Sequence, residues 1–114
     1  MVKYSERLDA VFHALADPTR RAMVEHLVRG PASVSQLTAP FDVSMPATLR
    51  HLGVLEAAGV VTSAKVGRVR TFQLAPSALD DATTWIGRQR LPAETMLDRL
   101  GDLLADPIHR EDDR

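Results

Sequence analysis

Arg50, Lys65, Arg68 and Arg70 are the residues of this sequence best suited to chemistry, and that chemistry is the holding of an anion. From Ser44 to Pro76 the only acid beside these four cations is Glu56. From Glu94 to Arg114 the balance reverses, with Glu94, Asp98, Asp102, Asp106, Glu111, Asp112 and Asp113 against three arginines. The chain carries a net charge of −1, so it is the distribution of charge that points to one surface facing a polyanion and another facing water. Arg50 lies in a stretch built to be a helix. Ser44 can cap it, Pro46 falls in its first turn, and Gly59 supplies a left-handed stop. Thr48, Leu52 and Leu55 recur at i, i+4 and i+7 and form a buried stripe. The opposite face carries Met45, Leu49 and Arg50, with His51 and Gly53 beside them and no acid before Glu56. Such a face suits either an ordinary amphipathic surface helix or one lying against a polyanion.

The elements that must position these residues follow from periodicity and punctuation. Leu8, Val11, Phe12 and Leu15 predict a first helix over Ser5 to Ala16. Asp17-Pro18 opens a second helix ending near Gly30-Pro31, with Met23, Val24, Leu27 and Val28 as its buried face. Arg20 and Arg21 fall in its first turn, where the helix dipole disfavours cations, and suit a salt bridge or a bound anion. Ser33 caps a short third helix with Val34 and Leu37, and Ala39-Pro40-Phe41-Asp42 ends it. Two short helices joined by a tight turn, the second without acids at its start, form a helix-turn-helix whose second helix fits a major groove. After Gly59 the period changes. Val60 to Ser63 and Val69 to Leu74 predict a hairpin, with Lys65-Val66-Gly67-Arg68 as its turn. Three cations at or near that tip suit a wing that grips phosphate or enters a minor groove; a plain solvated turn is the alternative, but it would need neither three cations nor the absence of acids. Pro76-Ser77 caps a last helical region containing Leu79, Ala82, Trp85, Ile86, Met96, Leu97, Leu100, Leu103 and Leu104, kinked or broken at Pro92 and ended by Asp106-Pro107.

At 114 residues, 45% hydrophobic and 25% charged, the chain reads as one globular domain over residues 1–107. Residues 108–114 read as a disordered acidic tail. The fold class expected is mainly α with a small β-hairpin wing, in the order α-α-α-α-β-β-α. With no cysteine, no apolar run long enough for a membrane and no signal-peptide pattern, a cytoplasmic location without membrane contact is expected. His13, His26 and His51 fall on three different helices without ligand spacing, so neither a metal nor another cofactor is expected. The sequence contains no G-x-S-x-G, no cysteine nucleophile and no glycine-rich phosphate loop, and an enzyme is not expected.

Three collinear motifs carry a family resemblance: A-L-A-D-P-T-R-R at Ala14 to Arg21, S-M-P-A-T-L-R-H-L-G-V-L-E-A-A-G-V-V at Ser44 to Val61, and G-R-V-R-T-F-Q-L at Gly67 to Leu74. Together they resemble the ArsR-type winged helix-turn-helix repressors. Leu97 to Leu100, with Trp85 upstream, resembles the cysteine-free branch often encoded beside START-like (SRPBCC) proteins. The resemblance implies a homodimeric repressor that binds double-stranded DNA at an inverted repeat in a promoter, often its own. It puts Ser44, Met45, Ala47, Leu49, Arg50 and His51 toward the groove, and Lys65, Arg68 and Arg70 in the wing. It also implies a dimer held by the first and last helices, through Leu8, Val11, Phe12, Leu15, Trp85, Leu97, Leu100 and Leu104. Many relatives have Gln at position 45 and Ser at 49. Met and Leu offer only apolar contact there, which leaves Arg50 to read guanine and puts weight on DNA shape. Pro92 and Ala93 also depart from relatives that continue a helix with an aromatic residue. Metal-sensing relatives carry a cysteine-rich loop in the third helix or His/Asp pairs on the last, and neither pattern is present. Two other readings stay open: a winged-helix protein–protein scaffold, and a regulator with a small-molecule pocket near Trp85.

Overall fold

A computed structural model of the chain describes residues 3–89 and 92–104. The Asp106-Pro107 stop and the acidic tail expected after it lie outside the described residues. The chain divides into two compact units, the first reaching Thr83 and the second starting at Thr84.

The first unit is built around a core that each helix feeds from one stripe. Helix α1 (Tyr4–Leu15) buries Leu8, Val11 and Ala14. Helix α2 (Pro18–Val28) buries Met23, Val24 and Leu27. Val28, expected on that face, is 70% exposed. It lies about 40° further round the helix than Val24, at the edge of the stripe and on the last residue of α2. Ser33 caps the single-turn α3 (Val34–Thr38) in a reciprocal box with Gln36, and Leu37 goes inward. Helix α4 (Met45–Ala57) starts on Ser44, whose hydroxyl accepts the Ala47 N–H at 3.2 Å, and buries Thr48, Leu52 and Leu55 as the spacing predicts. Its end is a Schellman turn. Gly59 has φ +78°, the Val60 N–H donates to the Leu55 carbonyl at 2.9 Å, and the Gly59 N–H donates to that of Glu56 at 3.0 Å.

Strands β2 (Val61–Val66) and β3 (Val69–Leu74) form the hairpin, and β1 (Ala32–Ser33) pairs with the other edge of β3, giving the order β1-β3-β2. The sequence gives no sign of β1, because two residues carry no alternation. Ala32 is placed opposite Phe72 by tertiary pairing alone. The hairpin turn is also tighter than expected. Val66 pairs with Val69, so the loop is Gly67-Arg68, with φ +63° at Gly67 matching a two-residue turn of the II′ kind. Lys65 therefore belongs to β2 and not to the turn.

Helix α5 (Asp80–Arg88) begins later than the Pro76-Ser77 cap expected from sequence. Residues 75–80 instead make two successive turns, Ala78 N–H to Ala75 O and Asp80 N–H to Ser77 O. Asp80 and Asp81 then occupy the first helical turn, where carboxylates are favoured by the dipole. Helix α6 (Pro92–Leu104) opens at Pro92, where a missing N–H costs nothing, so the kink or break expected there is a break. No helix among the described residues is long and apolar enough to cross a membrane.

The corner between α1 and α2 corrects the expectation for Arg20 and Arg21. Arg20 Nε donates to the Ala14 carbonyl at 2.7 Å and Nη2 to that of His13 at 3.3 Å, while Arg21 Nη1 donates to that of Leu15 at 2.7 Å. The last carbonyls of α1 have no helical partner and form the negative end of its dipole. The two cations of α2 therefore cap α1, and neither makes the expected salt bridge among the described residues. Asp17 Oδ2 accepts the Arg20 backbone N–H at 3.0 Å. That bond, aided by the charges of His51 and Arg20 and by the Thr19 N–H, outweighs partial desolvation and holds the Asp17 carboxyl below its ordinary value.

Two predictions follow from this packing. Leu52→Ala removes a fully buried side chain and should cost about 2–5 kcal/mol of unfolding free energy in urea titrations, whereas exposed Leu49→Ala should change it by less than about 0.5. Equal losses would contradict the assigned face. For Asp17, a folded pKa below the unfolded one gives stability that is present above the ordinary carboxylate value and lost as pH falls through the folded one. Asp17→Asn keeps a capping oxygen without the charge. Its thermal midpoint should lie below that of the unsubstituted chain at neutral pH and converge with it in acid; a difference constant with pH would remove the charge from the cap.

Candidate nucleic-acid interface

Burial of Thr48, Leu52 and Leu55 decides which way α4 faces. Ser44, Met45, Leu49 and Arg50 consequently stand exposed on the far side, with Ala47 half-buried on the flank. Met45 and Leu49 are 47% and 48% exposed, large apolar groups left facing water. The Arg50 guanidinium makes no hydrogen bond or ion pair among the described residues. Thr48 is a fully buried polar residue, and its hydroxyl is satisfied within the helix-turn-helix. It donates to the Ser44 carbonyl at 3.1 Å and lies 2.9 Å from the Thr38 hydroxyl, which is itself 2.8 Å from the Val34 carbonyl.

His51 stands apart from the other residues expected toward the groove. Its ring turns to the α1–α2 corner, with Nδ1 3.3 Å from Arg20 Nη1 and 3.9 Å from Asp17 Oδ2. The cause is position: three residues beyond Thr48 and one before Leu52, it borders the buried stripe.

The register of the hairpin sorts the wing cations. Residues paired across strands share a face, so Val61, Ser63 and Lys65 of β2 lie on the same side as Leu74, Phe72 and Arg70 of β3. This face is buried at Val61 and Phe72 and becomes cationic at the Lys65–Arg70 pair as the hairpin extends outward. Arg68 occupies the loop. Neither Lys65 nor Arg68 makes an ion pair among the described residues. Arg70 is engaged: its Nη1 donates to Ser63 Oγ at 2.9 Å, and Ser63 donates to Glu56 Oε2 at 2.9 Å. A shallow cavity of about 220 Å³ joins the parts, lined by Ser33, Ser35, Met45, Arg68 and Arg70 among others. The sequence assigns Ser33 to a cap, Val66 to a turn and Val69 to a strand, and it gives neither these residues nor Ser35 a place in the site. The pairing of β1 with β3 brings the two serines there, and no local pattern announces it.

The residues expected at a dimer interface separate into two groups. Leu8 and Val11 are buried in the protomer's own core, and Leu15 packs partly against it. Phe12, Trp85, Leu97, Leu100 and Leu104 are exposed. Among the described residues no three His, Cys, Asp or Glu side chains gather as a metal site.

Residues 15–64, which include the helix-turn-helix, match the family model described as a helix-turn-helix domain. The HTH-type transcriptional regulator Rv2034 of Mycobacterium tuberculosis is 42% identical over 80 residues, covering 70% of this chain and 75% of that protein. The transcriptional repressor SdpR of Bacillus subtilis is 29% identical over 79 residues, covering 69% and 88% respectively. The crystal structure of an ArsR family transcriptional regulator superposes with a TM-score of 0.71 at 43% identity, over 78% of this chain and 92% of that one. With its helix-turn-helix, its hairpin wing and this degree of identity, the chain belongs to the ArsR family of winged helix-turn-helix transcriptional regulators.

Proposed function

We propose that the protein is a cytoplasmic homodimeric repressor that sets α4 in the major groove of a promoter operator and lays the β2–β3 wing on the flanking backbone. The observation that carries this reading is the exposed face of α4, acid-free over its first two turns, with an uncommitted Arg50 and the wing cations Lys65 and Arg68 beyond it. Ser44, Met45, Ala47, Leu49 and Arg50 meet the groove. Arg50 is the side chain able to read guanine bidentately, and Met45 and Leu49 offer apolar contact to thymine methyls. His51 holds the helix from behind through Arg20 and Asp17. With so little hydrogen-bonding readout, DNA shape and phosphate contacts supply much of the discrimination. Phe12 of α1 and Trp85, Leu97, Leu100 and Leu104 of the last two helices are apolar surface that a second copy covers. A symmetric pair then reads an inverted repeat with half-sites about one helical turn, or a multiple, apart.

Titration of the purified protein against its own upstream DNA and a scrambled duplex, at several salt concentrations, tests this reading. Preference for the native duplex with a steep salt slope is expected. Arg50→Ala should cost about 1–3 kcal/mol and relax specificity at one base step, whereas Arg68→Ala should weaken all sequences alike and lower the slope by about one. No preference and no slope would overturn the reading in favour of a protein–protein scaffold. For the dimer, sedimentation equilibrium should give twice the chain mass, and Leu100→Arg should give a folded monomer. An unchanged dimer in that variant would remove α6 from the interface.

A further inference from the structure

Three placements in the wing region are unfavourable when taken singly. Glu56 sits in the last turn of α4, where the dipole disfavours an anion, and it is the only acid in the stretch that meets DNA on the reading above. Arg70 lies directly opposite Lys65 on one face of the hairpin, a like-charge pair. The third is geometric: past Val61 and Phe72 every residue from Ala64 to Arg70 is exposed, so the outer hairpin has no core to hold it. One bridge resolves all three. Arg70 Nη1 donates to Ser63 Oγ and Ser63 donates to Glu56 Oε2, each at 2.9 Å, so a hydroxyl with one proton and free lone pairs joins a cation to an anion. Arg70 and Glu56 are each joined to Ser63, which sets an anion against the like-charge pair and ties the outer hairpin to α4.

Resting on the operator-binding reading, we infer that Arg70 is a positioning residue, not a phosphate contact: through Ser63 and Glu56 it fixes the angle between the wing and α4. Local rules broken together at one place mark a device serving function. The angle sets how far along the duplex the phosphates gripped by Lys65 and Arg68 lie from the base read by Arg50. Glu56 is retained in a basic surface because it anchors that angle.

The salt dependence of operator binding separates the two roles. Arg68→Ala, a phosphate contact, lowers the slope by about one. Arg70→Ala should weaken binding by about two- to tenfold with the slope unchanged, Ser63→Ala should give the same loss, and the double variant should be no weaker than either. A slope lowered by about one in Arg70→Ala, or losses that add in the double variant, would overturn the inference while leaving the operator-binding reading intact. A second measurement needs no DNA. Amide hydrogen exchange at residues 64–70 of the free protein should quicken by about two- to tenfold in Ser63→Ala and Arg70→Ala, and unchanged exchange overturns the bridge even if the unsubstituted protein binds no operator.

Discussion

The rotation of α4 about its own axis is the constraint on which the rest depends. Thr48, Leu52 and Leu55 have no exposed surface, and a helix with three such residues on one line has a single way to face. Thr48 sharpens that choice because it is polar. Its hydroxyl would be costly to bury unpartnered, and it finds partners only where α3 and α4 meet, on Thr38 and on the Ser44 carbonyl. Leucines alone would hold α4 against the core with some freedom to slide. The threonine pair ties it to α3, and so determines which side chains point away.

The α1–α2 corner supports the same helix from behind. Arg20 caps the end of α1, accepts a role beside His51 of α4, and leaves its backbone N–H to Asp17. One side chain thus joins three helices through groups that each needed a partner in any case. The carbonyls ending α1 are unsatisfied by helix geometry, the N–H groups starting α2 likewise, and His51 borders the buried stripe. A near-neutral chain can present a basic surface for a related reason. Its acids lie mostly outside the α4–hairpin stretch, and the one acid inside it is bonded, through Ser63, to a cation.

The sequence by itself determined the first four helices, the stop after α4 and the exposed face of Arg50, because each rests on interactions within a few residues. Apolar spacing selects a stripe, Ser44 and Asp17 satisfy N–H groups three residues away, and Gly59 alone accepts a left-handed turn without cost. It also marked an interruption at Pro92, since a missing donor is a covalent fact, but whether that interruption is a kink or a break was left to the fold. Tertiary structure decided what depends on partners distant in the chain. Strand β1 exists only because β3 pairs with it. Leu8 and Val11 share the period of Phe12, yet they fill the core while Phe12 remains exposed, and periodicity cannot rank residues within one stripe. His51 and Arg70 read as cationic or basic groups beside an anion site. Only the folded chain brings Arg20 and Asp17 to the one, and Ser63 and Glu56 to the other, because a side chain's partner is fixed by where other elements pack and not by its own neighbours in sequence.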